Sequence, residues 1–350
     1  MTPYDILKPL LFRLPAETAH TLGHTALDIA QRTPIRRALN ARYTVDDERL
    51  QTTAFGQQFA NPVGVAAGFD KNADVPAGLA ALGFGFVEVG GVTATPQSGN
   101  ARPRMFRLPA DEGIINRMGL NNEGAEAVGK RLRETSVAVP VGVNIAKSEH
   151  VAPDAAPADY RRTYEQVADG ADFFVVNVSC PNSQGFAELQ NRDSMAAIFE
   201  TLVEAGASPL LVKLSPDLPE PALADALSIV REFDLDGVVA TNTSTDRPAS
   251  LRSPTRVEGG GLSGTPIEAR ATEVVEFVAS RVDVPVVGVG GIATAEDAYE
   301  KIRAGASVVQ LYTGLVYQGP SIARDINEGL LALLERDGFD SVADAVGADL

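Results

Sequence analysis

The sequence predicts an α/β protein in which eight parallel strands close into a barrel, with a helical segment after each strand. Short valine-rich runs recur along the chain, and they are hydrophobic throughout instead of alternating, as strands buried on both faces are. Amphipathic stretches lie between them, and this alternation of strand and helix is typical of a parallel sheet. The 350 residues are enough for one large barrel or for two ordinary domains.

The number of predicted strands favours a closed (β/α)8 TIM barrel. An open doubly wound sheet is the alternative, but no GxGxxG motif follows the first strand. The predicted strands are VGVAAG (63–68), FVEVGG (86–91), VGVNIA (141–146), FFVVNVS (173–179), LLVKLS (210–215), GVVATN (237–242), VPVVGVGG (284–291) and VVQLYTG (308–314). Helical stretches between them include MAAIFETLVEAGA, PALADALSIVREF, TPIEARATEVVEFVASRV and TAEDAYEKIRAGA.

Polar residues and glycines gather at the C-terminal ends of these runs. Barrels of this type build their active sites at that face. A single polar residue there is often only a cap for the next helix, but the whole set at one rim predicts a functional site. The rim residues are Gly68, Asp70, Lys71, Thr93, Asn144, Lys147, Asn177, Cys180, Asn182, Lys213, Thr241, Asn242, Thr243, Gly288, Gly290, Gly291, Tyr312, Thr313 and Gly314.

Glycine-rich turns after the last two strands, GVGGI and YTG, predict a phosphate site. Backbone N–H groups at helix N-termini favour an anion, and this corner of a barrel is where phosphate groups commonly bind. The turn GGGLSGTPI (259–267), which includes Gly264, adds further backbone donors. The alternative is that these glycines serve only tight turns.

The rim also suits a planar ring with amide edges. A lysine near the pyrimidine edge of a flavin stabilises the negative charge of the reduced ring, and Lys71 and Lys213 are candidates. The asparagines offer paired donors and acceptors, and the segment NRMGLNN (116–122) is suited to close over such a ring. No metal site is predicted, because His20 and His24, four residues apart on one helix face, belong to no wider cluster of ligands.

Composition limits the partners. Lys and Arg total 30 and Asp and Glu total 46, and the net charge of -16 argues against nucleic acid. The acidic residues are spread along the chain, which predicts a protein kept soluble at high salt; an ordinary acidic enzyme is the alternative.

The single cysteine excludes internal disulfides and multi-cysteine metal sites. We see no signal peptide and no apolar stretch near the ~18–20 residues that cross a bilayer.

Several motifs, in order from about Phe55 to Leu315, resemble those of the dihydroorotate dehydrogenase family. They are NPVGVAAGFDK, EVGGVTATPQSGNARPRMFRL, GIINRMGLNN, NVSCPN, ATNTS, GGLSG, VGVGGI and VQLYTG. The resemblance implies a barrel that binds FMN and oxidises dihydroorotate to orotate in pyrimidine biosynthesis.

The N-terminal residues indicate the subclass. PYDILKPLLFRL and AETAHTLGHTALDIAQR are amphipathic and resemble the helical extension of the quinone-dependent class, whose helices rest on a membrane and form a channel to the flavin. We therefore expect an extension (1–42), an FMN-binding barrel (43–350), a quinone as electron acceptor, and peripheral attachment to the cytoplasmic side of the cell membrane. The alternative is a helical lid packed on the barrel.

The resemblance also implies roles for individual residues. The residues expected at FMN are Ala67, Gly68, Lys71, Thr93, Asn144, Asn177, Lys213, Thr241, Gly264, Gly291, Tyr312 and Thr313. Those expected at dihydroorotate are Lys71, Asn116, Arg117, Met118, Gly119, Leu120, Asn177, Asn182, Asn242 and Thr243. The candidates for the quinone side are Arg104, Tyr312 and His20.

Cys180 stands where the family has its catalytic base. The quinone-dependent class usually has serine there, and the soluble class, which uses fumarate or NAD, usually has cysteine. The base removes a proton from C5 of dihydroorotate, and a thiol, with an ordinary pKa near 8.5, suits that task when its pKa is lowered. A small buried cysteine without a role is the alternative.

Four other functions stay open at this point. The chain could be a soluble-class enzyme with an unrelated N-terminal lid, another flavin barrel acting on a pyrimidine, a flavin-free barrel that binds phosphosugars, or a purely binding, non-catalytic barrel. Visible flavin absorbance distinguishes the flavin enzymes from the phosphosugar barrel, and the identity of the electron acceptor distinguishes the soluble-class enzyme.

The acidic composition makes a prediction about salt. At low ionic strength the spread negative charges repel one another, and salt screens this repulsion. We therefore expect the melting temperature to fall as salt is removed, and the fold to be lost in dilute buffer. A melting temperature independent of salt would contradict this interpretation.

Overall fold

The computed structural model describes residues 3–32, 34–179, 189 and 191–350. Its strands in chain order are β1 (Thr52–Ala54), β2 (Gln57–Phe59), β3 (Val63–Val65), β4 (Phe86–Val92), β5 (Met105–Leu108), β6 (Gly113–Asn116), β7 (Val141–Ala146), β8 (Phe173–Asn177), β9 (Leu210–Leu214), β10 (Gly237–Ala240), β11 (Gly261–Gly264), β12 (Val286–Val289) and β13 (Ala306–Leu311).

The α-helices of the described residues are α1 (Pro3–Leu11), α2 (Ala16–Ala30), α3 (Ile35–Tyr43), α4 (Pro76–Ala80), α5 (Ala125–Glu134), α6 (Ala156–Val167), α7 (Arg192–Glu204), α8 (Glu220–Glu232), α9 (Glu268–Ala279), α10 (Ala295–Arg303), α11 (Thr313–Gln318), α12 (Ile322–Asp337) and α13 (Val342–Ala345). Short 3-10 helices lie at Glu48–Leu50, Pro153–Ala155, Ala168–Gly170, Pro254–Val257 and Thr265–Ile267.

The eight predicted strands close into a barrel. They follow one another around it in the order β3, β4, β7, β8, β9, β10, β12 and β13, with every neighbouring pair parallel. The last strand pairs with the first, where Leu311 lies opposite Val65. The prediction of a (β/α)8 barrel is therefore confirmed.

Aromatic rings fill the N-terminal end of the barrel. The hairpin of β1 and β2 brings Phe55 and Phe59 against Phe173 and Phe86, with ring centroids 5.0 Å apart in each pair. Neighbouring strand positions must be small to admit these rings: a Cβ atom at Gly142 would lie 2.2 Å from the ring of Phe173. Tight packing of this kind closes one end of the barrel, so an open site can form only at the other end.

A three-stranded antiparallel sheet stands beside the open, C-terminal end. Its central strand is β6, which pairs with β5 on one side and β11 on the other. The hydroxyl of Tyr317 on α11 donates a hydrogen bond of 2.8 Å to the carbonyl of Gly113 and ties this sheet to the helix after the last barrel strand. The sheet therefore forms a fixed wall at this end.

The predicted N-terminal helices are present as α1 and α2, and a third helix, α3, follows them. Arg107 on β5 donates hydrogen bonds to the carbonyls of Leu11, Phe12 and Leu14 at the end of α1. A cation there is favourable because the carbonyls at a helix C-terminus have no partners within the helix. Arg104 reaches Glu17 on α2 at 2.9 Å. Two arginines of the wall sheet thus hold the helices in place.

These helices expose large apolar side chains. The most exposed are Ile6 (67%), Leu7 (53%), Leu10 (57%), Leu22 (49%) and Ile29 (54%). Among the described residues, no helix combines the length and the hydrophobicity that a membrane span requires.

A buried lysine lies behind the barrel wall. Lys301 on α10 is fully buried, and its Nζ donates to the Thr272 hydroxyl at 2.6 Å and to the Glu268 carbonyl at 3.3 Å. Burial lowers the pKa of Lys301 to about 8, although the nearby Glu268 carboxylate opposes that shift. The unfolded chain keeps the ordinary lysine pKa, so the two states differ in bound protons between about pH 8 and 10.

The lowered pKa of Lys301 predicts that the stability of the fold depends on pH. Above pH 8 the native state releases the Lys301 proton while the unfolded state still binds it, so this residue makes the free energy of unfolding rise with pH. We expect Lys301→Met to reduce that rise by up to about 1.4 kcal/mol per pH unit, measured by denaturant unfolding at constant salt. Lys130→Met, at an exposed site on α5, is the control. Equal slopes in the wild type and Lys301→Met would contradict the shift.

Candidate functional site

A cavity opens at the C-terminal ends of the barrel strands. Parallel strands of a closed barrel bring all their carboxyl ends to one rim, so residues far apart in sequence meet there. The cavity is lined by Ala66, Ala67, Gly68, Lys71, Gly91, Met105, Ile114, Asn116, Met118, Gly119, Leu120, Asn144, Asn177, Lys213, Thr241, Asn242, Thr243, Ser263, Gly264, Ile267, Val289, Gly290, Gly291, Ile292, Gln310, Leu311, Tyr312, Thr313 and Gly314.

Most residues predicted at the cofactor line this cavity. They are Ala67, Gly68, Lys71, Asn144, Asn177, Lys213, Thr241, Gly264, Gly291, Tyr312 and Thr313. Thr93 is not among the lining residues: its hydroxyl donates to the Thr95 carbonyl and accepts from the side chain of Asn122. The roles of the predicted residues in binding a cofactor stay predictions.

Most residues predicted at the substrate line it as well. They are Lys71, Asn116, Met118, Gly119, Leu120, Asn177, Asn242 and Thr243. Arg117 points elsewhere, because its guanidinium pairs with Glu258 at 2.9 Å and lies over the ring of Phe106. Asn182 and the predicted base Cys180 lie outside the described residues.

Three asparagines form a hydrogen-bonded chain across the cavity floor. Asn177 donates to the Oδ1 of Asn144 at 3.1 Å, and Asn242 donates to the Oδ1 of Asn177 at 3.3 Å. Ser179 anchors the far end, since Asn242 also donates to its hydroxyl at 3.0 Å. Each amide is oriented by its neighbour, so the cavity presents a fixed pattern of donors and acceptors.

Glu88 lies beneath this floor and was not among the residues predicted at the site. Its carboxylate is fully buried and accepts hydrogen bonds of 2.7 Å from Asn144 and Gln310. The Nζ of Lys213 is 3.5 Å away. The sequence held a signal for Glu88 and for Gln310, because they are the glutamate and the glutamine that interrupt the hydrophobic runs FVEVGG and VVQLYTG. Such residues are seldom buried without partners.

Lys71 joins the cavity to the base of the N-terminal helices. Its Nζ donates to the Gly68 carbonyl. Burial, helped by the nearby Arg104 cation, lowers the pKa of Lys71 to about 8, while Asp70 and Glu17 oppose the shift. A lysine with this pKa carries its charge in only part of the molecules near pH 8 and is a ready proton donor.

The lining fits FMN on three observations. The side-chain oxygen Oε1 of Gln310 is buried and has no hydrogen-bond partner among the described residues. A Cβ atom at Gly68, where φ is +94°, would meet only the Tyr312 ring at 3.9 Å and would otherwise extend into the cavity. The asparagine amides and the Lys213 ammonium match the donor and acceptor edges of a flavin ring, while Gly264, Gly291 and Thr313 offer backbone and hydroxyl donors for a phosphate.

A second cavity, of about 340 Å³, lies between the N-terminal helices and the barrel. It is mainly apolar and shares Met105, Ile114 and Tyr312 with the first cavity. Its lining consists of Tyr4, Leu11, Phe12, Ala16, Ala19, His20, Gly23, Ala26, Leu27, Ala30, Phe69, Leu82, Met105, Arg107, Ile114, Tyr312, Leu315, Val316, Gly319 and Pro320. The shared residues make it a direct neighbour of the rim site.

His20 and Tyr312 stack at the border of the two cavities, with ring centroids 6.4 Å apart. Burial lowers the pKa of His20 to about 3, helped by the charges of Lys71 and His24. Burial also raises the pKa of the Tyr312 hydroxyl. Both rings are therefore neutral at physiological pH, as suits an apolar cavity. Of the predicted quinone-side residues, Arg104 does not line it.

Among the described residues, one group has the proximity that a metal ion needs: His24, Asp70 and Asp74. The Asp70 carboxylate, however, already accepts backbone hydrogen bonds from Asp74 at 3.0 Å and Val75 at 2.8 Å. That pattern fixes the turn before α4, and we assign no ion to this group.

Comparison with known proteins agrees with this geometry. The family model described as Dihydroorotate dehydrogenase matches residues 49–334. A Haloarcula marismortui protein named Dihydroorotate dehydrogenase (quinone) is 71% identical over the full length of both chains. A Natronomonas pharaonis protein of the same name is 64% identical over 99% of each chain. Both organisms are halophiles, in agreement with the acidic composition.

The solved structures give the same result for the fold. The crystal structure of the Eimeria tenella enzyme, DHODH, in complex with ferulenol has a TM-score of 0.90 and 35% identity, and the match covers 97% of this chain and 98% of that one. Because the family model spans most of the chain and the identities extend over its whole length, this chain belongs to the dihydroorotate dehydrogenase family.

Proposed function

We propose that this chain oxidises (S)-dihydroorotate to orotate, with FMN bound at the rim and a quinone as the final electron acceptor, in pyrimidine biosynthesis. The observation that carries the proposal is the pair of adjoining cavities. The first has several amide side chains and two lysines in its lining, the second is almost wholly apolar, and Tyr312 lines both. A cofactor held in the first cavity would thus be within reach of a polar substrate there and of an apolar acceptor in the second cavity.

The residues of the first cavity divide into two groups by chemistry. Gly264, Gly291 and Thr313 would hold the FMN phosphate, while Asn144 and Lys213 would hold the ring edge. Bound there, FMN supplies two-electron redox chemistry. The buried Lys213 ammonium would stabilise negative charge at the ring edge.

Dihydroorotate is an amide-rich ring with a carboxylate, and the asparagine chain suits it. Asn177 and Asn242 present oriented amides, and Asn116, on the wall sheet, faces the same cavity. Lys71 brings a positive charge for the carboxylate. Cys180 lies three residues after the end of β8 in sequence. We assign to its thiolate the removal of the proton from C5, because a base is needed there and the polar side chains of the described lining are amides, hydroxyls and lysines.

The second cavity is the proposed quinone site. Its walls come from α1, α2 and α11 and are mainly apolar, which suits a quinone ring and the first part of its tail. His20 and Tyr312 stand at its inner end, nearest the rim site. The neutral rings at that border let an uncharged acceptor approach the cofactor without desolvating a charge.

We further propose peripheral attachment to the cytoplasmic face of the cell membrane, and the exposed helices support the attachment. Ile6, Leu7, Leu10, Leu22 and Ile29 give α1 and α2 an apolar outer surface. Helices of this kind lie in the interface with their apolar face in the lipid. A quinone dissolved in the bilayer then has a short path into the second cavity.

Two alternatives predict different acceptors or cofactors. A soluble-class enzyme would return its electrons to fumarate or NAD, and the cysteine at position 180 is the observation in its favour. A flavin-free barrel that binds phosphosugars would use only the glycine-rich corner. The apolar cavity beneath α1 and α2 argues for the quinone, because fumarate and NAD are both charged.

The proposed function is tested by anaerobic titration of the protein purified in high salt. We expect a visible flavin band that bleaches with dihydroorotate and recovers when a short-chain quinone is added, but not with fumarate or NAD. Recovery with fumarate or NAD alone would make the chain a soluble-class enzyme. A protein without a flavin band would refute the proposal.

The assignment of Cys180 is tested by substitution. We expect Cys180→Ala to keep FMN and to lose at least about a hundredfold in turnover, since general-base catalysis contributes about 10²–10⁴. Cys180→Ser, which restores a possible base of the kind usual in the quinone class, should recover part of this loss and shift the pH optimum. Near-normal turnover by Cys180→Ala would refute the assignment.

A further inference from the structure

Glu88 has no contact with the first cavity of its own, yet its three described polar partners all line it. Asn144, Gln310 and Lys213 surround its carboxylate at 2.7, 2.7 and 3.5 Å, and all three lie in the cavity lining while Glu88 does not. Glu88 is therefore one layer below the surface that a ligand would touch. Its contacts are directed upward, toward the site.

The carboxylate decides which way the side-chain amides above it point. An ionised carboxylate only accepts hydrogen bonds, so the NH2 group of Asn144 must face Glu88 and its Oδ1 must face away. That oxygen then accepts from Asn177, whose own oxygen accepts from Asn242. Gln310 obeys the same constraint: its NH2 group faces Glu88, and its Oε1 is left without a partner in the lining.

The carboxylate also balances the charge of the floor. Lys213 is 5% exposed and Glu88 is fully buried. A buried ion loses its hydration, and it is tolerated when an opposite charge and further hydrogen bonds compensate for that loss. Glu88 compensates for Lys213, so the floor carries a cation whose field is reduced by an anion directly beneath it.

We propose that Glu88 is a positioning residue that fixes the amide orientations and the net charge of the cavity floor, and that it thereby sets the reduction potential of the bound flavin. The inference rests on the proposed function only in that FMN occupies this cavity. Lys213 favours the more negative, reduced form of the ring, and Glu88 opposes this preference. Glu88 thus keeps the cofactor able to pass its electrons onward.

The test is the reduction potential of Glu88→Gln holoenzyme, measured by anaerobic equilibration with a reference dye. Glutamine nearly preserves the shape and removes the charge, so the Lys213 cation is left uncompensated. We expect the affinity for reduced FMN relative to oxidised FMN to rise about tenfold, the size of effect that a neighbouring charge has when it moves a pKa by about one unit. Tighter binding of the reduced form moves the reduction potential to more positive values. Glu88→Asp keeps the charge, so its reduction potential should lie close to that of the wild type.

A matched control separates this role from a purely structural one. Asp159 on α6 is another buried carboxylate, accepts hydrogen bonds from the backbone N–H and hydroxyl of Ser148, and lies outside the lining. We expect Asp159→Asn to lower stability and to leave the potential unchanged. An unchanged potential in Glu88→Gln, or the same shift in both variants, would overturn the proposal.

A second variant covers the case in which Glu88→Gln does not fold. Lys213→Met removes the other half of the pair, so the potential should move to more negative values; an unchanged potential would equally overturn the proposal. The dye measurement uses no dihydroorotate. Wild-type flavoprotein that dihydroorotate fails to reduce would refute the proposed function and leave the Glu88 test valid, whereas a wild-type chain that binds no FMN would refute both.

Discussion

The ion pair of Glu88 and Lys213 is the interaction on which the site depends. A closed barrel has an interior packed with aliphatic and aromatic side chains, and charges are admitted there only in compensated groups. Glu88 on β4 and Lys213 on β9 meet across the interior, with two strands between theirs around the barrel. Asn144 donates to the same carboxylate oxygen that Lys213 faces, and Gln310 donates to the other oxygen. The asparagine chain above the pair has a single direction of hydrogen bonding, because Asn144 donates to Glu88 and so accepts from Asn177 with its Oδ1. The floor is therefore one connected network of hydrogen bonds.

The N-terminal helices complete the arrangement from the other side. Their position is set by arginines of the wall sheet, whose guanidinium groups bind the carbonyls at the end of α1 and the Glu17 carboxylate on α2. The same docking encloses the apolar cavity and brings His20 against Tyr312. Under the proposed function, substrate and acceptor therefore have separate cavities at one cofactor position, and the two halves of the reaction need not compete for space.

Periodicity and composition were sufficient for the fold, because fully buried strands and amphipathic helices leave strong local patterns. All eight barrel strands lie where the valine-rich runs predicted them, and most of the predicted rim residues meet in one cavity. Sequence patterns did not predict the features of the site that depend on tertiary contacts. Nothing local distinguishes Arg117, which pairs with Glu258, from the lining residues beside it. The helix α3 is short and rich in arginine, so it lacks the apolar character that marked α1 and α2. Glu88 gave a signal as a charge within a buried strand, but its partners come from three other strands.

The central claim is that substrate and acceptor reach one cofactor through different cavities. The most direct measurement is stopped-flow observation of the two half-reactions in Ala19→Phe, which places a ring in the apolar cavity. Leu22→Phe, exposed on the same helix, is its control. The account predicts that flavin reduction by dihydroorotate keeps its wild-type rate while reoxidation by quinone slows at least about tenfold, roughly 1.4 kcal/mol in the barrier. Unchanged reoxidation, or an equal loss in both half-reactions, would contradict it.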